Sequence, residues 1–412
     1  MSTASESPFA FDGVICLGGE DWWYHNRGHF DFQIMRRIAR TLPVLFVNSI
    51  GVRMPALSDG RVFVKRIGRK LRSLRNGLTH IENGFWVFSP LNMPGAVGQR
   101  ISNWALTPQI RMAAARVGIK RPLVWVHCPA GADVVDRLGP AAVVLQRTDR
   151  FEDFPEGDPR RLRAQIEHLK RTADLVIYSA PHLEREEAHQ VRRHMLVTHG
   201  VDLAAFAAAG SARNDPPDLA RMPRPRVGFI GGIDAHTFDP ALFLETARRL
   251  PGHQFVLVGN SSLPHGWCNL PNVRWIGARR YEEVPAIMAA MDVLIMPWNQ
   301  STWIQACNPI KLKEYLAVGR PIVTRYFPAL DEWRDLVHVA DTPDAFARSI
   351  MAATHERVDH AKVLGRLRSE PWDGKAELIL GAFVELSRIK SEERRRARQG
   401  RRAGPLEPRR AA

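Results

Sequence analysis

The sequence predicts an α/β chain of two doubly wound domains, on three observations. Across the first half, short apolar runs alternate with helical patterns, the arrangement of a parallel sheet covered by helices. The stretch Ala207–Pro225, rich in Ala, Asp, Pro and Arg, loses apolar periodicity, and RPRVGFIGG then restarts the strand, turn and helix pattern. A chain of 412 residues, 45% hydrophobic and 25% charged, is long for one core and ordinary for two.

In the first domain, residues 1–206, strands are expected at Gly13–Leu17, Val44–Asn48, Val62–Lys65, Phe85–Phe88, Leu123–His127, Ala142–Gln146, Leu175–Tyr178 and Leu196–Thr198. Helices are expected near Phe30–Arg40, Ile101–Val117, Arg160–Arg171 and Pro181–Val191. The first strand ends in Gly18-Gly19, but G-x-G-x-x-G is missing and the loop EDWWYHNRGH is too long and bulky for a pyrophosphate turn. A dinucleotide-binding oxidoreductase is therefore disfavoured. Trp22 and Trp23 either pack under this loop or line a cleft with His25 and Arg27. Further on, KRIGRKLRSLRNGL sets Ile67, Leu71 and Leu74 at helical spacing among Lys65, Arg66, Arg69, Lys70, Arg72 and Arg75, an interfacial pattern suited to anionic lipid. Few aromatic residues interleave these cations, so a nucleic-acid partner is not expected. The strand before LQRTDRFEDF releases Thr148, Asp149, Glu152 and Asp153 at its carboxyl end, where open α/β sheets bind ligands; Asp158 reads as a helix cap.

The second domain, residues 226–370, opens with a strand and Gly231-Gly232, which lets backbone approach a ligand. Strands Gln254–Gly259, Val273–Gly277 and Val293–Pro297 and helix Glu282–Met291 follow. The richest stretch is QACNPIKLKEYLAVGRPIVT. Asn308 is an N-cap type, Pro309 suits the first helical position, and Gly319 with Pro321 stops the helix before strand Ile322–Thr324. Free amides near Ile310, the positive dipole end and Lys311 together suit a diphosphate, and Glu314 lies on the same helix face.

The segment Pro309–Thr324 resembles the donor-site helix of GT-B glycosyltransferases related to glycosyltransferase family 4. It is most similar to a bacterial polysaccharide branch including the teichuronic acid enzymes and the xanthan glucuronosyltransferase, whose pattern is roughly N-P-x-K-x-x-E-Y-L-A-x-G-x-P-V-V. HGVDLAAF resembles the run that closes the first domain in these relatives. Ala306 stands where the wider family has the first Glu of E-x7-E. The resemblance implies a GT-B fold of two Rossmann-like domains facing a cleft. The donor, a UDP-sugar by the commoner usage, would be held by Gly231, Gly232, Lys311, Glu314, Asn308 and Ile310, with the base read by backbone near Gly277 and Arg279. The acceptor, a saccharide or lipid-linked saccharide, would enter from the first domain, where Asp149 matches an acidic position of the branch and would act as general base. Asp153 and His127 are the second and third choices. Such enzymes need no catalytic metal and no cofactor beyond the sugar nucleotide. An epimerase on the same fold, and a noncatalytic lipid- or nucleic-acid-binding protein, are the alternatives.

Charge and cysteines agree with this reading. The net charge of +15 asks for an anionic partner, and Cys16, Cys128, Cys268 and Cys307 show no metal-ligand spacing. No basic region precedes an apolar leader and no apolar run reaches spanning length, so a cytoplasmic protein, peripheral on the inner membrane face, is expected. A helix at 371–391 is expected to return to the first domain, followed by a disordered basic tail at 392–412.

Overall fold

The computed structural model describes residues 7–24, 27–48, 75–91, 96–153, 158–212 and 215–402. His25, the strand expected at Val62–Lys65 and the basic residues Lys65 to Arg72 lie outside them.

The first sheet has strands β1 (Gly13–Leu17), β2 (Val44–Val47), β3 (Leu78–Glu82), β4 (Phe85–Phe88), β5 (Pro122–Val126), β6 (Ala142–Arg147), β7 (Leu175–Tyr178) and β8 (His194–Leu196). Their order is β3-β4-β2-β1-β5-β6-β7-β8, parallel except for the β3-β4 hairpin. Helices α1 (Phe30–Ile38), α2 (Ala96–Arg116), α3 (Pro159–Thr172) and α4 (Pro181–Glu187) connect them. The interior strands are buried residue after residue because helices cover both faces. β3 was not foreseen: its Leu78, His80 and Glu82 alternate with Thr79 and Ile81 without a clear apolar face, and pairing with β4 through the Asn83-Gly84 turn supplies the strand.

After α5 (Leu203–Ser211), the second sheet has β9 (Arg226–Ile230), β10 (Gln254–Val258), β11 (Val273–Trp275), β12 (Val293–Met296), β13 (Ile322–Thr324) and β14 (His338–Val339). All are parallel, in the order β11-β10-β9-β12-β13-β14. The helices α6 (Pro240–Arg249), α7 (Val284–Ala289), α8 (Thr302–Ala306), α9 (Ile310–Val318), α10 (Pro343–Thr354) and α11 (His360–Arg366) surround it. Finally, α12 (Trp372–Arg402) crosses back, burying Trp372, Ala376, Ile379, Phe383 and Leu386 in the first domain's core.

Two boundaries differ from the sequence reading. α12 continues through Arg402, eleven residues beyond the expected end at 391, and is held past that end of the apolar stripe by side-chain pairs such as Arg388 with Glu392. The segment expected to close the first domain belongs to the second: Val201 and Phe206 lie in the second core, and α5 occupies the start of the expected linker. α5 packs so tightly on α9 that a Cβ on Gly210 would stand 2.1 Å from the carbonyl oxygen of Val318. Helix propensity alone favours Gly210→Ala by about 1 kcal/mol. We expect the opposite, a lowered urea midpoint with unchanged slope, because backbone must separate to admit the methyl group.

Candidate active site

The site forms where the carboxyl ends of both sheets face one another. On the second domain, β9 runs into Gly231, whose φ of 150° is a glycine conformation, and an added Cβ would meet the Lys311 Nζ at 2.2 Å. The neighbouring Gly259 is as constrained, since its Cβ would meet the Gly231 carbonyl oxygen at 1.8 Å. The amide of Gly231 donates to Val258 and that of Gly259 to the carbonyl of Gly277, so three glycine turns lie side by side at the ends of β9, β10 and β11. Gly232 is exposed beside them.

Helix α9 begins against this floor. Pro309, not Asn308, occupies its N-cap, and no side chain caps it. The Asn308 amide instead donates across the cleft to the carbonyl of Ser179, at 2.9 Å. The amides of Ile310 and Lys311 have no protein acceptor among the described residues. Lys311 carries its Nζ 4.5 Å from the ring centres of both Phe229 and Trp298, without a carboxylate in ion-pair range among the described residues. Burial pushes its pKa down to about 8. An ammonium caged by aromatic faces beside free helix amides is a site prepared for an anion.

Glu314 is buried one turn further along, accepting a 3.0 Å hydrogen bond from the Tyr281 hydroxyl. Burial pushes its pKa up to about 7, against the pull of that bond and of Lys311. Tyr315 accepts from the amide of Ile230, tying α9 to the end of β9. Arg279 spends its guanidinium on Asp218 and on the carbonyl of Ala278, bracing the Gly277 turn and leaving backbone to face the site. Asp234 closes a turn through the amides of His236 and Thr237, and Asp239 caps α6 while pairing with Arg325. These two acids are structural.

Across the cleft, Asp149 follows β6. The buried Arg147 guanidinium donates to the Asp149 carbonyl at 2.6 Å and pairs with Glu152 and Glu187, fixing the loop. The Asp149 carboxyl is half-buried and its pKa is pushed up to about 6 by burial, against the pull of His127 and Arg147. Its charge also acts on Cys307, three residues before α9 begins at Ile310, on the Lys311 side of the cleft. Asp153 is exposed on a 3-10 turn, and Asp158 caps α3 as expected.

Sequence reasoning ranked His127 third as a base and passed over its partner. The His127 Nδ1 lies 3.0 Å from the Asp31 carboxylate, which is fully buried and also accepts from the amide of Gly19. Burial lowers the His127 pKa less than the Asp31 charge and hydrogen bond raise it, so the imidazole is held above its usual range. The absent side chain at Gly19 makes room for the ring. Trp22 is not available to a ligand: it is 1% exposed, packed on Phe32, Phe46 and Phe85. Trp23 donates to Ser89, and Arg27 covers the Trp22 ring.

Residues 224–356, the segment holding the glycine turns, Lys311 and Glu314, match the family described as glycosyl transferases group 1. The match covers 133 of the 412 residues. Over 174 residues the chain is 31% identical to TuaH of Bacillus subtilis (strain 168), named for teichuronic acid biosynthesis, covering 40% of this chain and 43% of that protein. Over 259 residues it is 27% identical to a GDP-mannose-dependent alpha-mannosyltransferase of Mycolicibacterium smegmatis, covering 60% and 66%. The chain thus spans 43% and 66% of these two relatives' lengths. Among solved structures it superposes on sucrose-phosphate synthase from Thermosynechococcus elongatus with a TM-score of 0.64 at 15% identity, over 91% of this chain and 99% of that one. Anabaena HepE in complex with UDP and glucose gives 0.56 at 14% identity, over 93% and 99%. These likenesses establish the GT-B fold, with the group 1 domain as its second half.

The Lys311 ammonium loses its charge as pH rises through about 8. Affinity for inorganic pyrophosphate, measured by calorimetry, should accordingly fall above that pH, and Lys311→Arg should flatten the dependence.

Proposed function

We propose that the chain is a glycosyltransferase moving a sugar from a nucleotide-diphosphate sugar to a saccharide or lipid-linked acceptor in bacterial surface polysaccharide synthesis. The observation carrying this reading is the Lys311 ammonium, partly desolvated and unpaired among the described residues, at the glycine floor and the open start of α9. The group 1 domain and the name of TuaH support the reaction class and its setting. In this assignment Lys311 and the amides near Ile310 meet the diphosphate, Gly231 and Gly232 let it approach, Glu314 accepts from the ribose, and backbone at Gly277 and Arg279 borders the base. Asn308 contributes by holding the two domains together at Ser179.

As the new glycosidic bond forms, the acceptor hydroxyl's proton passes to the Asp149 carboxylate, and the bond from the anomeric carbon to the diphosphate breaks with its electrons on phosphate oxygen. Lys311 and the start of α9 neutralise that charge. Asp149, with a pKa of about 6, is ionised at neutral pH and still basic enough to take a proton. Turnover should therefore rise from pH 5 to 7 and persist with a metal chelator present. Asp149→Asn should keep donor affinity while lowering turnover about a hundredfold or more; normal turnover in that variant would remove Asp149 as the base.

We assign UDP as the nucleotide. Calorimetry with UDP, GDP, ADP and TDP tests this choice, and Lys311→Ala should weaken the preferred one by about tenfold to a hundredfold. Nucleotide released from the sugar nucleotide only when acceptor is present distinguishes transfer from epimerisation. We also assign the protein a peripheral contact with anionic membrane on the cytoplasmic side, on the strength of the cations between Lys65 and Arg75. Neutralising Lys65, Arg66, Arg69 and Lys70 should reduce binding to anionic vesicles, most at low salt.

A further inference from the structure

Helix α2 shows solvent a face that carries two exposed large apolar side chains, Trp104 and Met112. Its inner side, Leu106, Ile110, Ala113 and Ala114, is buried against the first sheet. Its outer side carries Trp104, Pro108, Arg111, Met112 and Ala115, positions that share one helix face, with Arg116 beside them. Trp104 is 78% exposed and Met112 52%. Leu91, 65% exposed, joins them because the Gln109 side chain accepts from its amide and donates to its carbonyl. Exposed large apolar side chains grouped in this way mark an interaction surface.

Charge identifies the partner. From Asn83 to Ala132 the sequence has no Asp or Glu, while it has Arg100, Arg111, Arg116, Lys120 and Arg121. Arg111, Arg116, Lys120 and Arg121 are all exposed. A protein partner that covered this face would have to be acidic and apolar together, whereas an anionic bilayer offers phosphate at its surface and hydrocarbon beneath. Trp is the side chain best suited to that boundary, with Arg reaching the headgroups. No described helix is long and apolar enough to cross a membrane, so the contact would be one of lying on the surface.

We propose that the outer face of α2 docks on an anionic lipid surface, with Trp104, Met112 and Leu91 entering the interface and Arg111 and Arg116 meeting phosphate. This deepens, and rests on, the membrane contact proposed above. The placement is productive for a lipid-linked acceptor. Leu91 lies three residues beyond the end of β4, on the cleft edge of the sheet, and Gln109 is bonded to it. At about 1.5 Å per residue, Trp104 stands some 7 Å further along the helix towards its start. A bilayer on this face would present headgroup-bound saccharide beside the cleft rather than behind it.

Co-sedimentation with vesicles tests the assignment on the full chain. Wild type should bind phosphatidylcholine vesicles containing phosphatidylglycerol, and bind phosphatidylcholine alone weakly. Trp104→Ser with Met112→Ser should lower partitioning by about tenfold, while calorimetric nucleotide binding stays at the wild-type value and so reports an intact fold. Binding unchanged in this variant would overturn the inference and leave the contact to the cluster between Lys65 and Arg75. Wild type that binds no vesicle would overturn both. A dimer in vesicle-free solution that the double variant dissociates would assign the face to a second copy and likewise overturn it.

Discussion

An ammonium with no counter-ion among the described residues sets the terms of this molecule. Lys311 could have been neutralised by a carboxylate at small cost, as Lys313 is two residues later by Glu370. Instead its surroundings supply two aromatic faces, which offset part of the charge's desolvation without competing for its hydrogen-bond donors. This arrangement demands much nearby. Gly231 must lack a side chain, Gly259 must let the Gly231 carbonyl pass, and Tyr315 must hold the end of β9 to the helix. A lysine poised in this way costs stability, a cost that an anion bound there would recover.

Helix α9 can hold such a lysine because its other face is fixed. Lys313 is buried and donates to the carbonyl of His199, the hydroxyl of Thr198 and Glu370, which also pairs with Lys375 of α12. The two faces of the first turn of α9 thus differ electrostatically: Lys311 stands without a carboxylate in ion-pair range among the described residues, and Lys313 is paired with Glu370. Buried charge that is fully paired contributes more to fixing a unique arrangement than to net stability. Here that arrangement sets the angle at which the start of α9 meets the first domain, where Asn308 reaches Ser179.

Legibility in the sequence followed the range of the interactions. Local signals worked: β1, β4, β7 and β13 have the expected bounds, the Gly319 helix stop is left-handed, and Asp158 is a cap. Lys311 and Glu314 were legible because a short motif places both on one helix turn. Interactions between segments distant in sequence left no such mark. The Asp31 and His127 pair spans 96 positions and Tyr281 with Glu314 spans 33, and neither has a spacing that periodicity could flag. Asn308 was misjudged for the same reason, and the two readings of Trp22 stayed open for it. A tryptophan in a polar loop looks like a ligand contact until Phe32, Phe46 and Phe85 close around it, and an Asn before a Pro looks like a cap until a carbonyl from the other domain arrives.

The chain crosses between domains twice, and the two crossings touch. Val201 donates to the carbonyl of Glu370 at 2.9 Å, and Trp372 donates back to Val201. A hinge made of two hydrogen-bonded strands permits rotation about its own line and resists shear, since shear would break both bonds. Lys313 reaches His199 and Glu370, residues on that line, so opening the cleft need not disturb it. Asn308 reaches Ser179 in the N-terminal domain, Ile310 packs on the first core and Arg27 stands 4.0 Å from Glu282, so opening must break these contacts. Rotation about the hinge therefore separates Asp149 from Lys311 at the cost of a neutral hydrogen bond worth about 1 kcal/mol, a partly exposed ion pair and the apolar contact of Ile310. A charged ligand that met Lys311 on one side of the cleft and the first domain on the other would add to these contacts and favour the assembled site.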